Sequence, residues 1–152
     1  MNTVLDASAA LAWLITRDSP SEALLANHLL DEIEHFNVIV PQHWRVEVCN
    51  GMLRLQRARV VSPAEAESFA NRLEILPIQA EKYQAARQWA RVHRLALTHA
   101  LTAYDAAYVE LAVRSGSFLA TFDRKPADAA RAAGVPVFGQ AHGVAEPLAR
   151  YG

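Results

Sequence analysis

Apolar residues along this chain keep two rhythms. In short stretches they run almost unbroken: TVLD at 3–6, NVIVP at 37–41, ILPI at 75–78, FLATF at 118–122 and VPVFG at 135–139. Runs this short, bounded by Pro, Gly or polar residues, predict buried strands. Between them apolar residues return every three or four positions, the period of a helix. That period predicts helices over 8–15, from 19 onward with Leu25, Leu29, Ile33 and Phe36 inward, and over 42–58. Further helices are predicted after 62 with Ala66, Phe69, Ala70 and Leu73 inward, over 80–95 with Ala85, Trp89 and Val92 inward, over 101–116, and over 125–134. Two starts carry the same capping chemistry, Ser19-Pro20-Ser21-Glu22 and Ser62-Pro63-Ala64-Glu65. In each, serine caps, proline suits the first helical position and glutamate closes a capping box. Strands alternating with helices predict an α/β fold: a mostly parallel central sheet with helices on both faces. No linker or low-complexity stretch divides residues 1–152, so a single domain is expected. In such sheets the functional site lies outside the carboxyl ends of the strands.

Composition narrows the class. With 52% hydrophobic and 20% charged residues and a net charge of −1, the chain reads as a soluble globular protein. Its apolar runs are far too short to span a membrane, and the first residues lack the basic region and long apolar core of a signal peptide. No membrane association and a cytoplasmic address are the expectation. One cysteine, Cys49, excludes an internal disulfide and a cysteine zinc cluster. The near-neutral balance gives no basic face, so a nucleic-acid partner would need a local patch or a metal to attract it.

The chemistry is carried by acids at the strand ends. Asp105 shares a helical face with Leu101, Tyr108, Val109 and Ala112, an expensive place for a carboxylate unless something compensates it. Asp6 ends the first strand, Asp123 follows the fourth, and Glu47 lies in the second turn of the helix entered from NVIVP. Each has a structural reading: Asp6 as a helix cap, Asp105 in a capping box with Thr102, Asp123 in a turn, Glu47 as a solvated helix residue. Caps and turns need no common location, whereas four separate segments here deliver acids to one predicted sheet edge. Clustered carboxylates repel one another unless a cation holds them charged. Hard oxygen ligands suit Mg²⁺ or Mn²⁺, which assist phosphodiester hydrolysis.

The segments VLDAS (4–8), PQHWRVEVCNGM (41–52), LTAYDAAYVELA (101–112), LATFDRKPADAA (119–130) and AGVPVF (133–138) resemble, in order, those of PIN-domain ribonucleases of the VapC toxin type. The resemblance covers about residues 3–138. It implies a three-layer α/β/α PIN-like fold and a Mg²⁺- or Mn²⁺-dependent endoribonuclease acting as the toxin of a toxin–antitoxin pair. It also implies an acidic site of Asp6, Glu47, Asp105 and Asp123, an RNA substrate, a homodimer and a VapB-type antitoxin. On this reading Asp6 and Asp105 hold the principal ion, and Glu47 and Asp123 complete the cluster. Asn50 hydrogen-bonds within the site, Ser8 supports Asp6 and Thr121 supports Asp123.

Other features read as structure. Asp128 is a solvated helix residue, Cys49 a small core residue, and Trp13, Trp44 and Trp89 core aromatics. The six histidines show no ligand spacing, although His43 and His99 precede the two acidic helices. Arg17, Arg54, Arg124 and Lys125 lie near the site edge, as phosphate contacts or as ordinary surface charge. Ser8 lacks a nucleophile elbow, and no glycine-rich phosphate loop occurs. Two competing functions remain. An aspartyl-nucleophile phosphatase or phosphotransferase would use Asp6 but wants a second aspartate where Ser8 stands. A non-catalytic PIN-like binding module would not need all four acids.

Overall fold

The unbroken apolar runs form a sheet and the periodic stretches form helices around it. The computed structural model describes residues 2–15, 20–82 and 85–139. Among these the strands are β1 (Asn2–Leu5), β2 (Asn37–Val40), β3 (Ile78–Ala80), β4 (Phe118–Thr121) and β5 (Val137–Gly139). The helices are α1 (Ala7–Leu11), α2 (Pro20–Glu32), α3 (Trp44–Arg57), α4 (Pro63–Ile75), α5 (Gln88–His99), α6 (Ala103–Ser115) and α7 (Arg124–Ala132). All strand pairs are parallel, in the order β3-β2-β1-β4-β5. The chain first steps outward from β1 through β2 to β3, then returns to β4 on the other side. Right-handed crossovers running in opposite directions lay helices on opposite faces. The reversal puts a topological switch point between the carboxyl ends of β1 and β4, the crevice where ligands bind in such sheets.

The core lies between the sheet and its helices. Val4, Leu5, Val38, Val40, Leu119 and Phe138 from the strands form one buried cluster with Leu29 of α2, with Ile33, and with Tyr108, Val109 and Leu111 of α6. The inward stripe expected after residue 19 is found: Leu25, Leu29, Ile33 and Phe36 are all buried. Pro20 opens α2, while Ser19, Arg17 and the tail after Gly139, including His142, lie outside the described residues. The Ser62–Glu65 capping box closes in both directions, at 3.1 and 3.2 Å.

Five expectations change. The third strand is Ile78–Ala80, not 75–78, because α4 continues through Ile75 and stops where Pro77 forces Leu76 into extended backbone. The helix expected over 80–95 begins only at Gln88, since β3 and its exit use the first part of that stretch. Trp89 then stands in the first turn, 85% exposed rather than inward. The helix α5 has no fully buried residue. Partly buried Leu95 packs it against the core, and one ion pair ties it to α6: the buried carboxylate of Glu110 takes Arg91 at 3.0 Å, while Arg114 of α6 also pairs with Glu110 at 2.9 Å and reaches Glu81 at 2.7 Å. Cys49 is exposed, not core, because Val48 takes the inward position and Cys49 is turned away one step along α3. The first helix ends at Leu11, and the turns after it are anchored by the Trp13 indole N–H donating to the Ala26 carbonyl at 2.9 Å.

Gly139 closes the sheet edge beside the switch point. Its φ of +110° lies where glycine is favoured, and a Cβ there would stand 2.6 Å from the Thr121 carbonyl oxygen of the paired strand. Backbone oxygen cannot yield as a side chain can. Gly139→Ala should therefore destabilise the protein by about 1–3 kcal/mol, read as a lowered denaturant midpoint. A wild-type midpoint would show that β5 shifts without cost.

Candidate active site

The site begins with the last residue of the first strand run. Asp6 takes the N-cap position of α1, but its side chain makes no cap hydrogen bond. Its carboxylate, 2% exposed, turns inward instead. There Oδ2 accepts from the Ser8 hydroxyl at 2.8 Å and from the Thr121 hydroxyl at 2.6 Å. Each hydroxyl has one proton, so the 3.2 Å approach of Ser8 Oγ to Thr121 Oγ1 is a contact between two donors to one oxygen. Each hydroxyl in turn accepts a backbone N–H from the segment leaving β4: Ser8 from Phe122 at 3.0 Å, Thr121 from Asp123 at 3.1 Å. Thr121 therefore supports the carboxylate of Asp6 and the backbone of Asp123, whereas the sequence assigned it to Asp123 alone.

The other acids arrive from three further elements. Asp123 is the N-cap residue of α7, again without a side-chain cap bond, and is exposed. Thr102 caps α6 by accepting from the Asp105 N–H at 3.1 Å. Asp105 stands half-buried at the cleft end of the face that buries Tyr108, Val109 and Ala112. Glu47 projects from the first turn of α3, where the buried Tyr108 hydroxyl donates to its Oε2 and His43 Nε2 lies 3.7 Å from the same oxygen. Asp6, Ser8, Glu47, Asn50, Asp105 and Asp123 all line one open cleft of about 760 Å³. Asn50 is an exposed lining residue, and Thr121 lies beneath. Asp128 is not among the lining residues and pairs with Arg131 at 3.7 Å. Arg54 lines the cleft, as do His43 and Tyr104, whose rings lie 5.5 Å apart. Leu11, Ile15, Val46, Leu55 and Ala58 give the cleft an apolar wall that local sequence periodicity does not reveal.

Electrostatics show that these acids act on one another. Burial, then the charges of Asp123 and Asp105, push the Asp6 carboxyl up to about 7, against the opposing pull of the Thr121 and Ser8 hydroxyls. Burial, then Asp123 and Glu47, push Asp105 up to about 6, with Lys125 opposing. Burial, Asp6 and Glu47 raise the Tyr108 hydroxyl far above its ordinary range. Among the described residues no three acid, histidine or cysteine side chains close into a ready-made metal cage. The donor set fits a hard cation that keeps much of its water and binds through one or two carboxylates, as Mg²⁺ does. Half-buried, mutually repelling oxygens at neutral pH are what such an ion would relieve.

The sign of the pH effect follows. Without metal, folded Asp6 and Asp105 hold protons at pH values where the unfolded chain, near the ordinary 3.8, has lost them. Their contribution to stability is complete below about pH 4 and is lost as pH rises through about 6 and 7. In chelator, the melting temperature of Asp6→Asn should therefore gain on wild type from pH 5 to pH 8. A difference independent of pH would return Asp6 to the ordinary carboxylate range.

Comparison with known proteins bears on the family and the fold. A PIN-domain family model matches residues 3–132. Ribonuclease VapC3 of Pyrobaculum aerophilum is 29% identical over 128 residues, covering 84% of this chain and 94% of that protein. FitAcB from Neisseria gonorrhoeae superposes with a TM-score of 0.57 at 22% identity, over 90% of this chain and 96% of the other. VapBC2 from Rickettsia felis, bound to a DNA fragment from their promoter, gives a TM-score of 0.61 at 11% identity, over 90% and 97%. These two likenesses are of fold. Because the family match runs from β1 through α7, and so takes in every element that carries one of the four acids, the chain belongs to the PIN-domain family.

Proposed function

We propose that this protein is a metal-dependent endoribonuclease and the toxin of a toxin–antitoxin pair. The observation that carries the reading is the convergence of Asp6, Glu47, Asp105 and Asp123, from four elements, on one cleft at the switch point. Similarity to a VapC ribonuclease supports RNA as the substrate. Asp6, Asp105, Glu47 and Asp123 would hold Mg²⁺ or Mn²⁺, with Asp6 and Asp105 as the principal ligands. The ion would supply Lewis-acid stabilisation of charge at the scissile phosphate. The chain's own residues do the rest. Ser8 and Thr121 fix Asp6, and the acids exposed in the cleft orient the attacking water and take its proton. Arg54 and Lys125 offset the phosphate charge at the rim. A nucleophilic Asp6 has little support, since its carboxylate is buried and tied by two hydroxyls.

No helix among the described residues is long and apolar enough to cross a membrane; a cytoplasmic address is part of the proposal. The Rickettsia felis neighbour is a VapBC pair, and a VapB-type antitoxin is the corresponding partner proposed here. Its segment would lie along the apolar wall and place an arginine or lysine against the carboxylates. A homodimer is also proposed. Exposed Trp89 and Leu97 on α5 offer apolar area for a second copy.

Incubation of the purified protein with single-stranded RNA tests the reading. Cleavage should require Mg²⁺ or Mn²⁺, stop in chelator, and leave 5′-phosphate and 3′-hydroxyl ends, as attack by water demands. Asp105→Asn should fold yet lose more than the roughly 10–100-fold typical of an outer-shell change. Full cleavage in chelator, or cyclic phosphate ends, would contradict the mechanism. Hydrolysis of a phosphomonoester with RNA left intact would favour the phosphatase alternative.

A further inference from the structure

Tyr108 is buried to the last atom of its ring, yet it ends on a polar group that reaches the cleft wall. From α6 its hydroxyl crosses to α3 and donates to Oε2 of Glu47. The backbone of Ala7, directly after Asp6, approaches the same hydroxyl. One side chain thus touches the segments carrying two of the four acids from the helix that carries a third. The arrangement repeats what holds Asp6. There two hydroxyls occupy Oδ2; here one hydroxyl occupies Oε2. In both cases a neutral O–H donor ties one carboxylate oxygen of a residue that lines the cleft.

We propose that Tyr108 is a positioning residue: by holding Oε2 of Glu47 it presents Oε1 to the cleft and so sets the affinity of the acidic site for a divalent cation. The proposal rests on the metal-dependent reading above. Glutamate on a helix surface samples many rotamers and loses that freedom when it takes a ligand. A ring locked in the core removes the freedom in advance, which is what a hydrogen bond behind a metal ligand does. The choice of donor matters. A lysine or arginine in this place would also fix Glu47, but would cancel the charge that attracts the ion. The tyrosine hydroxyl orients the carboxylate and leaves its charge intact, being protonated at neutral pH. A buried tyrosine also needs a partner for its hydroxyl, whatever the site does. The test must separate positioning from this structural role.

Mn²⁺ alone is the probe, its binding followed by paramagnetic resonance of the free ion, with wild type, Tyr108→Phe, Glu47→Gln and the double variant. Melting in chelator reports the fold. Tyr108→Phe should weaken Mn²⁺ binding by about tenfold or more. Glu47→Gln should weaken it too, and adding Tyr108→Phe to Glu47→Gln should cost nothing further. Glu47→Asp keeps the ring and withdraws the carboxylate from it, so it should show a similar loss even if Tyr108→Phe fails to fold. Wild-type affinity in Tyr108→Phe or Glu47→Asp would overturn the assignment, as would an equal further loss in the Glu47→Gln background. Wild-type protein that binds no Mn²⁺ would overturn the metal-dependent reading and this assignment with it.

Discussion

Burial of the Asp6 carboxylate at the end of the central strand is the constraint around which the site is arranged. A carboxylate removed from water costs several kcal/mol unless it is compensated. Here the compensation is two hydroxyl donors on one oxygen, each polarised by a backbone N–H behind it. Hydrogen bonds to charged groups are worth about 1.5–3 kcal/mol each. They leave part of the cost standing, and the carboxyl is pushed up to about 7. The same bonds stitch Ser8 and Thr121 across the junction of β1 and β4. The Asp6 N–H donates to the Ala120 carbonyl at 2.9 Å in the same seam. What restrains the charge therefore also sets where the chain leaves β4, and with it Asp123.

The rest of the cleft extends this arrangement. Thr102 starts α6 so that Asp105 falls at the open end of a buried face. Tyr108, one turn on, crosses to Glu47. The Arg91–Glu110 ion pair and partly buried Leu95 hold α5, which has no fully buried residue of its own, against its neighbours. Those contacts serve the fold, while Asp6, Asp105, Glu47 and Asp123 accumulate a charge that the fold resists. On the metal-dependent reading this resistance is functional, because a site that repels its own ionised form gains most from a cation.

Much of this was legible in the sequence because it is local. Short apolar runs named four of the five strands, and the rule that sites lie beyond strand carboxyl ends brought the four acids together. Asp105 stood out because a charge interrupts an apolar stripe. What escaped depends on contacts distant in sequence. Thr121 turns to Asp6 across 115 positions, and Tyr108 reaches Glu47 across 61. Nothing in their neighbours foretells either partner, although a tyrosine on a buried stripe always needs one for its hydroxyl. Trp89 misled because an apolar period of helical spacing fits equally a helix begun at residue 80 and one begun at Gln88, and only the strand before it decides. Cys49 was misplaced by residue type, its neighbour Val48 having taken the inward position on α3.

The central claim is that these carboxylates are held together against their charge and that a divalent cation relieves them. Carbon-13 resonance of the side-chain carboxyls, followed with pH in chelator and then in Mg²⁺, measures it directly. In chelator one aspartate should titrate near 7 and another near 6, absent from Asp6→Asn and Asp105→Asn respectively. Saturating Mg²⁺ should bring both midpoints down toward the ordinary carboxylate range. Ordinary midpoints in chelator, or raised midpoints that Mg²⁺ leaves in place, would contradict the account.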